Sequence, residues 1–348
     1  MHYLKWAKLL LPILTICLQT AGQTTIQITL KNPGQHKIDK VDAFDLSQQE
    51  IHDYKYQDTL FLKFNKNNID CYNIRYHEKD KMYRQQIWLD SGNIKIEAHL
   101  TDNDLVIDTV INSPFYYAAT AFGDQYVQLT RSRDTAAINN FLLSSFEKNI
   151  DNPYSINIAY YYVLRNQNSR PDLVKFKPLT DKQGDRFKWF FLYPVVIERM
   201  NKILSVHKID VSGYSFLNKD KQPAALQLKG AGYYVLDFWF LACKPCVEQH
   251  IEIKKKLPGL NSKGVEVIGI STDSDLKKWK AYLANHGYKW PNYLENKKHS
   301  ISEDLSISAF PTYLVLNDKG EILNSYNSFS EVLKRFGVDD GEPKQPTD

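Results

Sequence analysis

Residues 237–246 read DFWFLACKPC, and they set Cys243 and Cys246 three positions apart, directly after an apolar and aromatic run. The chain holds four cysteines in 348 residues, so this spacing concentrates a scarce residue. Three chemistries bring cysteines this close: metal binding, a structural staple, or electron exchange. A structural zinc site needs two further ligands, usually a second such pair or two histidines. Cys71 stands alone, and His250, four residues beyond Cys246, offers one imidazole and reads first as an exposed or half-buried helix residue, with contact to the cysteine pair as the alternative. A stapled scaffold in an oxidising compartment would use an even set of cysteines at wide spacing. The spacing favours electron exchange.

The flanks of the pair agree with that reading. YYVLDFW (Tyr233–Trp239) has the composition of a buried strand, and Cys246–Leu257 can form a helix ended by Pro258-Gly259. The first cysteine then faces unpaired backbone N–H groups and the positive end of a helix dipole, which favour thiolate over thiol. The second sits one turn in, within reach of the first. Pro245 suits the first helical turn, where no N–H is missed, and Lys244 adds local positive charge.

Further out, GVEVIGIS (Gly264–Ser271) reads as a strand and SDLKKWKAYLANHG (Ser274–Gly287) as a helix with an N-cap and a terminal glycine. TYLVLN (Thr312–Asn317), the turn DKG and EILNSY (Glu321–Tyr326) form a hairpin, followed by a short helix, SEVLKRF (Ser330–Phe336). This order predicts an α/β domain over 211–337, a mixed sheet covered by helices on both faces. GAG (Gly230–Gly232) precedes a strand and not a helix, so it is a turn and not a nucleotide loop. The polar segment 338–348 is expected to fray.

Upstream, the pattern is different. Between Thr24 and Ile111, short alternating runs such as TIQITL (Thr25–Leu30), NIKIEAHL (Asn93–Leu100) and LVIDTVI (Leu105–Ile111) are broken by turn residues. They predict a small antiparallel β domain over 23–112 with no catalytic constellation, and leave Cys71 an inert half-buried thiol. From 113 to 210 the period changes: Ile138, Phe141, Leu142 and Phe146 mark an amphipathic helix, INIAYYYVL (Ile156–Leu164) a second, and Pro194 kinks or restarts a third. This segment is a helical connector.

At the N-terminus, Lys5 and Lys8 precede the apolar run LLLPILTICL (Leu9–Leu18), and Thr20, Ala21 and Gly22 follow. That is the order of an export signal, residues 1–22, cleaved after Gly22. The run is half of the roughly 20 residues a spanning helix needs. Lipidation at Cys17 would want a small residue where bulky Ile16 stands. The mature protein is therefore expected in the periplasm or cell envelope, with membrane tethering the alternative. A net charge of +4, and a lysine cluster at 254–256 that reads as a solvated helix end, exclude nucleic acid as a partner. The 22 tyrosines suggest half-exposed β surface or interdomain contacts.

Taken together, YVLDFW leading into C-x-x-C, GVEVIGISTDSDLKKW, and SAFPTYLVLNDKGEI resemble the thioredoxin fold, and within it the TlpA/ResA-like extracytoplasmic thiol-disulfide oxidoreductases. An N-terminal β domain ahead of such a module resembles members from Bacteroidota. The resemblance implies that Cys243 is the attacking nucleophile and Cys246 the resolving thiol. It implies that Pro311, between Phe310 and Thr312, is a cis-proline offering backbone to substrate peptides. It makes Asp237 the buried acid that accepts the proton of Cys246. The partners implied are protein or peptide thiols and an envelope electron donor or acceptor, with no organic cofactor and no metal. Two positions depart from the pattern: Ala242 stands where the family has Trp before the first cysteine, and Gln249 where the branch often has Glu, with Glu248 beside it.

Two other functions compete. A peroxidase of the same fold wants Pro and Thr or Ser before the reactive cysteine, where this chain has Leu236 and Phe240. An envelope interaction protein could keep the fold for binding alone, but an intact C-x-x-C together with an intact proline turn argues for chemistry.

Overall fold

The computed structural model describes residues 22–47, 51–220, 222–296 and 298–338. The export-signal reading, Cys17 included, falls on residues 1–21 and the tail on 339–348, outside the described residues. The chain divides into two compact units on either side of the Gln128–Leu129 link.

The first unit is built from eight strands: β1 (Thr24–Lys31), β2 (Lys40–Asp45), β3 (Ile51–Tyr54), β4 (Thr59–Phe64), β5 (Asp70–Glu78), β6 (Lys81–Leu89), β7 (Asn93–Leu100) and β8 (Leu105–Ile111). They form two four-stranded sheets, ordered β4-β1-β7-β8 and β3-β2-β5-β6. Neighbours are antiparallel except β1 and β7, which run parallel. Alternation in sequence becomes alternation in burial: Ile26, Ile28 and Leu30 point inward from β1 while Gln27 and Thr29 stay half-exposed. Both sheets turn their apolar faces into one core, which Tyr72, Tyr76 and Tyr83 enter completely. The expectation that tyrosines lie on half-exposed β surface fails for these three, because their rings fill core volume between the sheets.

The helix α1 (Pro114–Ser132) crosses from the first unit to the second. In the second unit, α2 (Thr135–Lys148) is capped by Asp134, whose side chain accepts the Ala137 N–H. Of its expected stripe, Ile138, Leu142 and Phe146 are buried and Phe141 is half-buried. α3 (Tyr154–Asn166) and α4 (Arg170–Gln183) close on it, with Phe176 of α4 packed between Phe146 and Tyr162 at 4.8 and 4.6 Å. Pro194 restarts the chain as a helical turn that runs into α5 (Arg199–Ser205).

The remaining elements are β9 (Phe216–Leu217), β10 (Pro223–Ala224), β11 (Tyr233–Trp239), α6 (Lys244–Ser262), β12 (Val265–Ser271), α7 (Leu276–His286), β13 (Asn292–Glu295), α8 (Ile301–Asp304), β14 (Thr312–Asn317), β15 (Ile322–Tyr326) and α9 (Phe329–Phe336). The sheet order is β10-β9-β13-β12-β11-β14-β15. β11, β12 and β13 are parallel and β14 runs antiparallel to β11, so the sheet is mixed. Val235, Val267 and Val315 face Ile253 and Leu260 of α6 and Val332 of α9 on one side. Leu236, Phe238 and Ile268 face Ile301 and Leu305 on the other. α6 does not stop at Pro258 as expected. Leu260, buried in that core, holds the last turn in place against a missing N–H that costs ~3 kcal/mol in a free helix.

The segment before the sheet belongs to it physically. The Ile322 N–H donates to the His207 carbonyl at 2.8 Å and the Ile209 N–H to Gly320 at 2.9 Å. Ile209 and Val211 enter the same core as Leu236 and Leu316.

Candidate active site

β11 ends at Trp239, and the turn that follows is tied down from the neighbouring strand. Both carboxylate oxygens of Asp273 accept the Leu241 N–H at 3.1 Å, and Ser271 Oγ donates to Asp273 at 2.7 Å. The Thr272 N–H donates to the Trp239 carbonyl at 3.0 Å, and the Cys243 N–H to Phe240 at 3.0 Å. The chain thus delivers Cys243 to the N-cap of α6, where its Sγ accepts the Cys246 N–H at 3.3 Å. This puts the sulfur among the unsatisfied donors of the helix start. Cys243 and Cys246 form a disulfide with a Cα–Cα separation of 5.3 Å. Cys246 is fully buried and Cys243 is 6% exposed, so of the two only Cys243 keeps any accessible surface.

Phe310 lies beside the pair, and Pro311 and Thr312 follow it in the chain. The Phe310–Pro311 peptide is cis, and Thr312 opens β14 opposite Phe238 of β11. Phe310 packs on the cluster that contains both cysteines and meets Phe240 edge-on at 5.2 Å. Ala242, where the resemblance led one to expect Trp, is exposed. The loop is held from behind by the α3–α4 junction. Asn168 Nδ2 donates to the carbonyls of Ala309 at 3.0 Å and Pro311 at 3.3 Å. Gln167 Oε1 accepts from Ser308 Oγ at 3.1 Å and from Arg199 at 2.9 Å. Neither residue was legible as part of a site, since 141 residues separate each from its partner.

Asp237 is fully buried on the α6 side of the sheet. Its Oδ2 lies 3.0 Å from His250 Nε2, and its Oδ1 has no hydrogen-bond partner. His250 is buried to the same extent, which corrects its reading as an exposed or half-buried helix residue. The signal was present in the spacing: His250 follows Cys246 by four, so the two share one face of α6. On its far side, His250 Nδ1 meets the Tyr282 hydroxyl at 3.0 Å, which meets that of Tyr288 at 3.2 Å. Burial raises the Tyr282 hydroxyl well above the ordinary tyrosine range. Tyr313, across from Asp237 on β14, is pushed up by burial and then by the Asp237 charge. Gln249 points elsewhere and accepts the Phe329 N–H at 2.6 Å, so it acts on α9 and not on the cysteines. Glu248 is exposed and pairs loosely with Lys244 at 3.8 Å. Among the described residues no group of three or more His, Cys, Asp or Glu is arranged to hold a metal ion.

A family model described as thioredoxin-like matches residues 230–322. This region is thioredoxin-like. ResA thiol-disulfide oxidoreductases share it: that of Bacillus thuringiensis is 28% identical over 96 residues, 28% of this chain and 54% of the relative. That of Bacillus subtilis is 23% identical over 96 residues. The chain spans about half the length of the curated relatives it matches. Among solved structures, the thioredoxin domain of a thiol-disulfide oxidoreductase from Bacteroides vulgatus is 22% identical with a TM-score of 0.33, covering 38% of this chain and 99% of that one. StoA of Bacillus subtilis is 20% identical with a TM-score of 0.31, covering 37% and 99%. The matched range includes Cys243, Cys246, Asp237 and Pro311, whereas Gln167 and Asn168 come from outside it.

Proposed function

We propose that this protein is an exported thiol-disulfide oxidoreductase that exchanges disulfides with protein or peptide thiols through Cys243 and Cys246. One observation carries the reading: a disulfide at the start of α6 whose first sulfur reaches the surface beside an apolar loop, while the second is sealed beneath it. In the reduced protein the Cys243 thiolate attacks a substrate disulfide, forms a mixed disulfide and releases one substrate thiolate. Cys246 then gives its proton to Asp237 and attacks Cys243 Sγ. The mixed disulfide breaks, the second substrate thiolate leaves, and the Cys243–Cys246 disulfide remains. Two electrons have passed to the substrate, and an envelope dithiol donor returns them by the reverse sequence. Phe310, Pro311 and Thr312 receive the substrate segment. No organic cofactor and no metal enters the cycle.

Export to the periplasm or cell envelope belongs to the same reading and rests on the N-terminal sequence, with a tether as its variant. None of the described helices is long and apolar enough to cross a membrane. The proposed organisation is a signal over 1–22, a β domain over 23–112, a helical connector over 113–210, a thioredoxin-like domain over 211–337 and a tail.

Insulin reduction with a dithiol donor tests the proposal. The reading expects turnover that vanishes when both Cys243 and Cys246 are changed to Ser; unchanged turnover in that variant refutes it.

A further inference from the structure

We propose that His250 is a positioning residue which, through Tyr282 and Tyr288, selects the carboxyl oxygen of Asp237 that exchanges a proton with Cys246. The inference rests on the function proposed above and deepens one step of it.

Asp237 and Cys246 are both fully buried, and a carboxylate oxygen without a donor takes a proton more readily than one already accepting a hydrogen bond. Here the two differ: Oδ2 is engaged by His250 at 3.0 Å, and Oδ1 is without a partner although Asp237 is fully buried. An unpaired carboxylate oxygen in a core is costly unless something uses it. Cys246, one helical turn from His250 on the same inward face, is also fully buried, so its proton needs a local acceptor.

The imidazole is oriented from its other side. A ring hydrogen on Nε2, directed at the Asp237 Oδ2 acceptor, leaves Nδ1 an acceptor, and the Tyr282 hydroxyl donates to it. Tyr288 completes the line by donating to Tyr282 at 3.2 Å, and it is set there by Gly287, whose left-handed φ of +57° ends α7 and turns the chain back. Trp239 and Trp290 wall the imidazole at 4.6 and 5.7 Å between ring centres.

The proton balance closes inside the site. When Cys246 attacks the mixed disulfide its S–H proton passes to Oδ1. When a donor dithiol later reopens the disulfide, Cys246 leaves as thiolate and takes the same proton back. Other titratable or charged groups facing this line are Tyr313 on β14, His286 on α7, whose ring lies 4.3 Å from that of Tyr282, and Lys254 of α6, over the Tyr288 ring at 5.8 Å. Asp237 is the carboxylate among them that shares the inward face with Cys246.

Rapid-mixing kinetics separates this step from the rest. The mixed disulfide between Cys243 and a thionitrobenzoate probe is formed, and release of the probe by Cys246 is followed from pH 6 to 10. His250→Phe is expected to slow release roughly tenfold at pH 7, and the deficit shrinks toward pH 10, where solvent removes the Cys246 proton. Iodoacetamide alkylation of Cys243 stays within about twofold of the unaltered protein. His250→Gln, which keeps a donor toward Oδ2, recovers most of the loss, and Tyr282→Phe slows release less than His250→Phe does. Release in His250→Phe at the unaltered rate, or a deficit constant across pH and not relieved by Gln, overturns the proposal. If the unaltered protein itself never releases the probe, the underlying exchange function fails instead.

Discussion

Asn168 Nδ2 lies 3.3 Å from the carbonyl oxygen of Pro311, so a residue between two connector helices holds the loop that flanks the disulfide. The same amide donates to Ala309 O, and Asn168 is 7% exposed. Both bonds are made out of water, and losing the donor leaves two carbonyls short of partners.

Asn168→Ala is therefore expected to loosen the Ala309–Pro311 loop, the proposed substrate-binding segment, without touching the cysteines. Each of the two lost bonds is worth about 1 kcal/mol, so KM for a protein disulfide rises by up to roughly thirtyfold while Cys243 alkylation is unchanged. Asn168→Asp should be worse, because a carboxylate would face two carbonyl oxygens. Steady-state kinetics with both variants checks the order.

A second expectation concerns the turn before Cys243. Asp273→Ala removes the acceptor of the Leu241 N–H and the partner of Ser271 Oγ. Loss of these charge-assisted bonds destabilises the fold by about 2 kcal/mol. Denaturant unfolding measures the loss, and Asp273→Asn should recover part of it.

How much of this was legible is uneven, for physical reasons. Strand β11, the helix start at Cys243 and the β14–β15 hairpin could be read because burial, capping and turn chemistry act within a few residues of sequence. β9 and β10, two residues each, carry no period, and Pro258 gave a false stop because tertiary packing of Leu260 overrides a local breaker. The cysteines, Asp237 and Pro311 lie on motifs. Asn168, Gln167 and Tyr282 do not, since what makes them matter is a partner far away in the chain. The step from the number of tyrosines to half-exposed β surface failed at Tyr72, Tyr76 and Tyr83, because composition does not say which sheet face a side chain takes.

The 210/211 division invites a direct test. A fragment 211–338 loses the hydrogen bonds of His207 and Ile209 to the hairpin and the burial of Ile209, together worth about 2–3 kcal/mol. A fragment 206–338 should keep them and melt several degrees higher by calorimetry. Equal melting temperatures would remove segment 206–210 from the sheet's stability.

Cys71 yields a pH prediction. Burial pushes this thiol up to about 12, against an ordinary value near 9. Folded protein at pH 8 then holds about one thiolate in ten thousand at Cys71, and alkylation there should await unfolding. Between about pH 9 and 12 the unfolded chain releases this proton while the folded chain keeps it. The stability from this group is complete below pH 9 and falls by up to ~1.4 kcal/mol per pH unit above it. Cys71→Ala should flatten that slope in denaturant unfolding.

The central claim is that Cys243 attacks and Cys246 resolves. Trapping tests it most directly: Cys246→Ser protein is mixed with a disulfide-bonded peptide and separated without reductant. The account predicts a covalent adduct through Cys243 that a dithiol dissolves, and none with Cys243→Ser or with the doubly intact pair at steady state. An adduct that fails to form with Cys246→Ser, or that forms equally through Cys71, contradicts it.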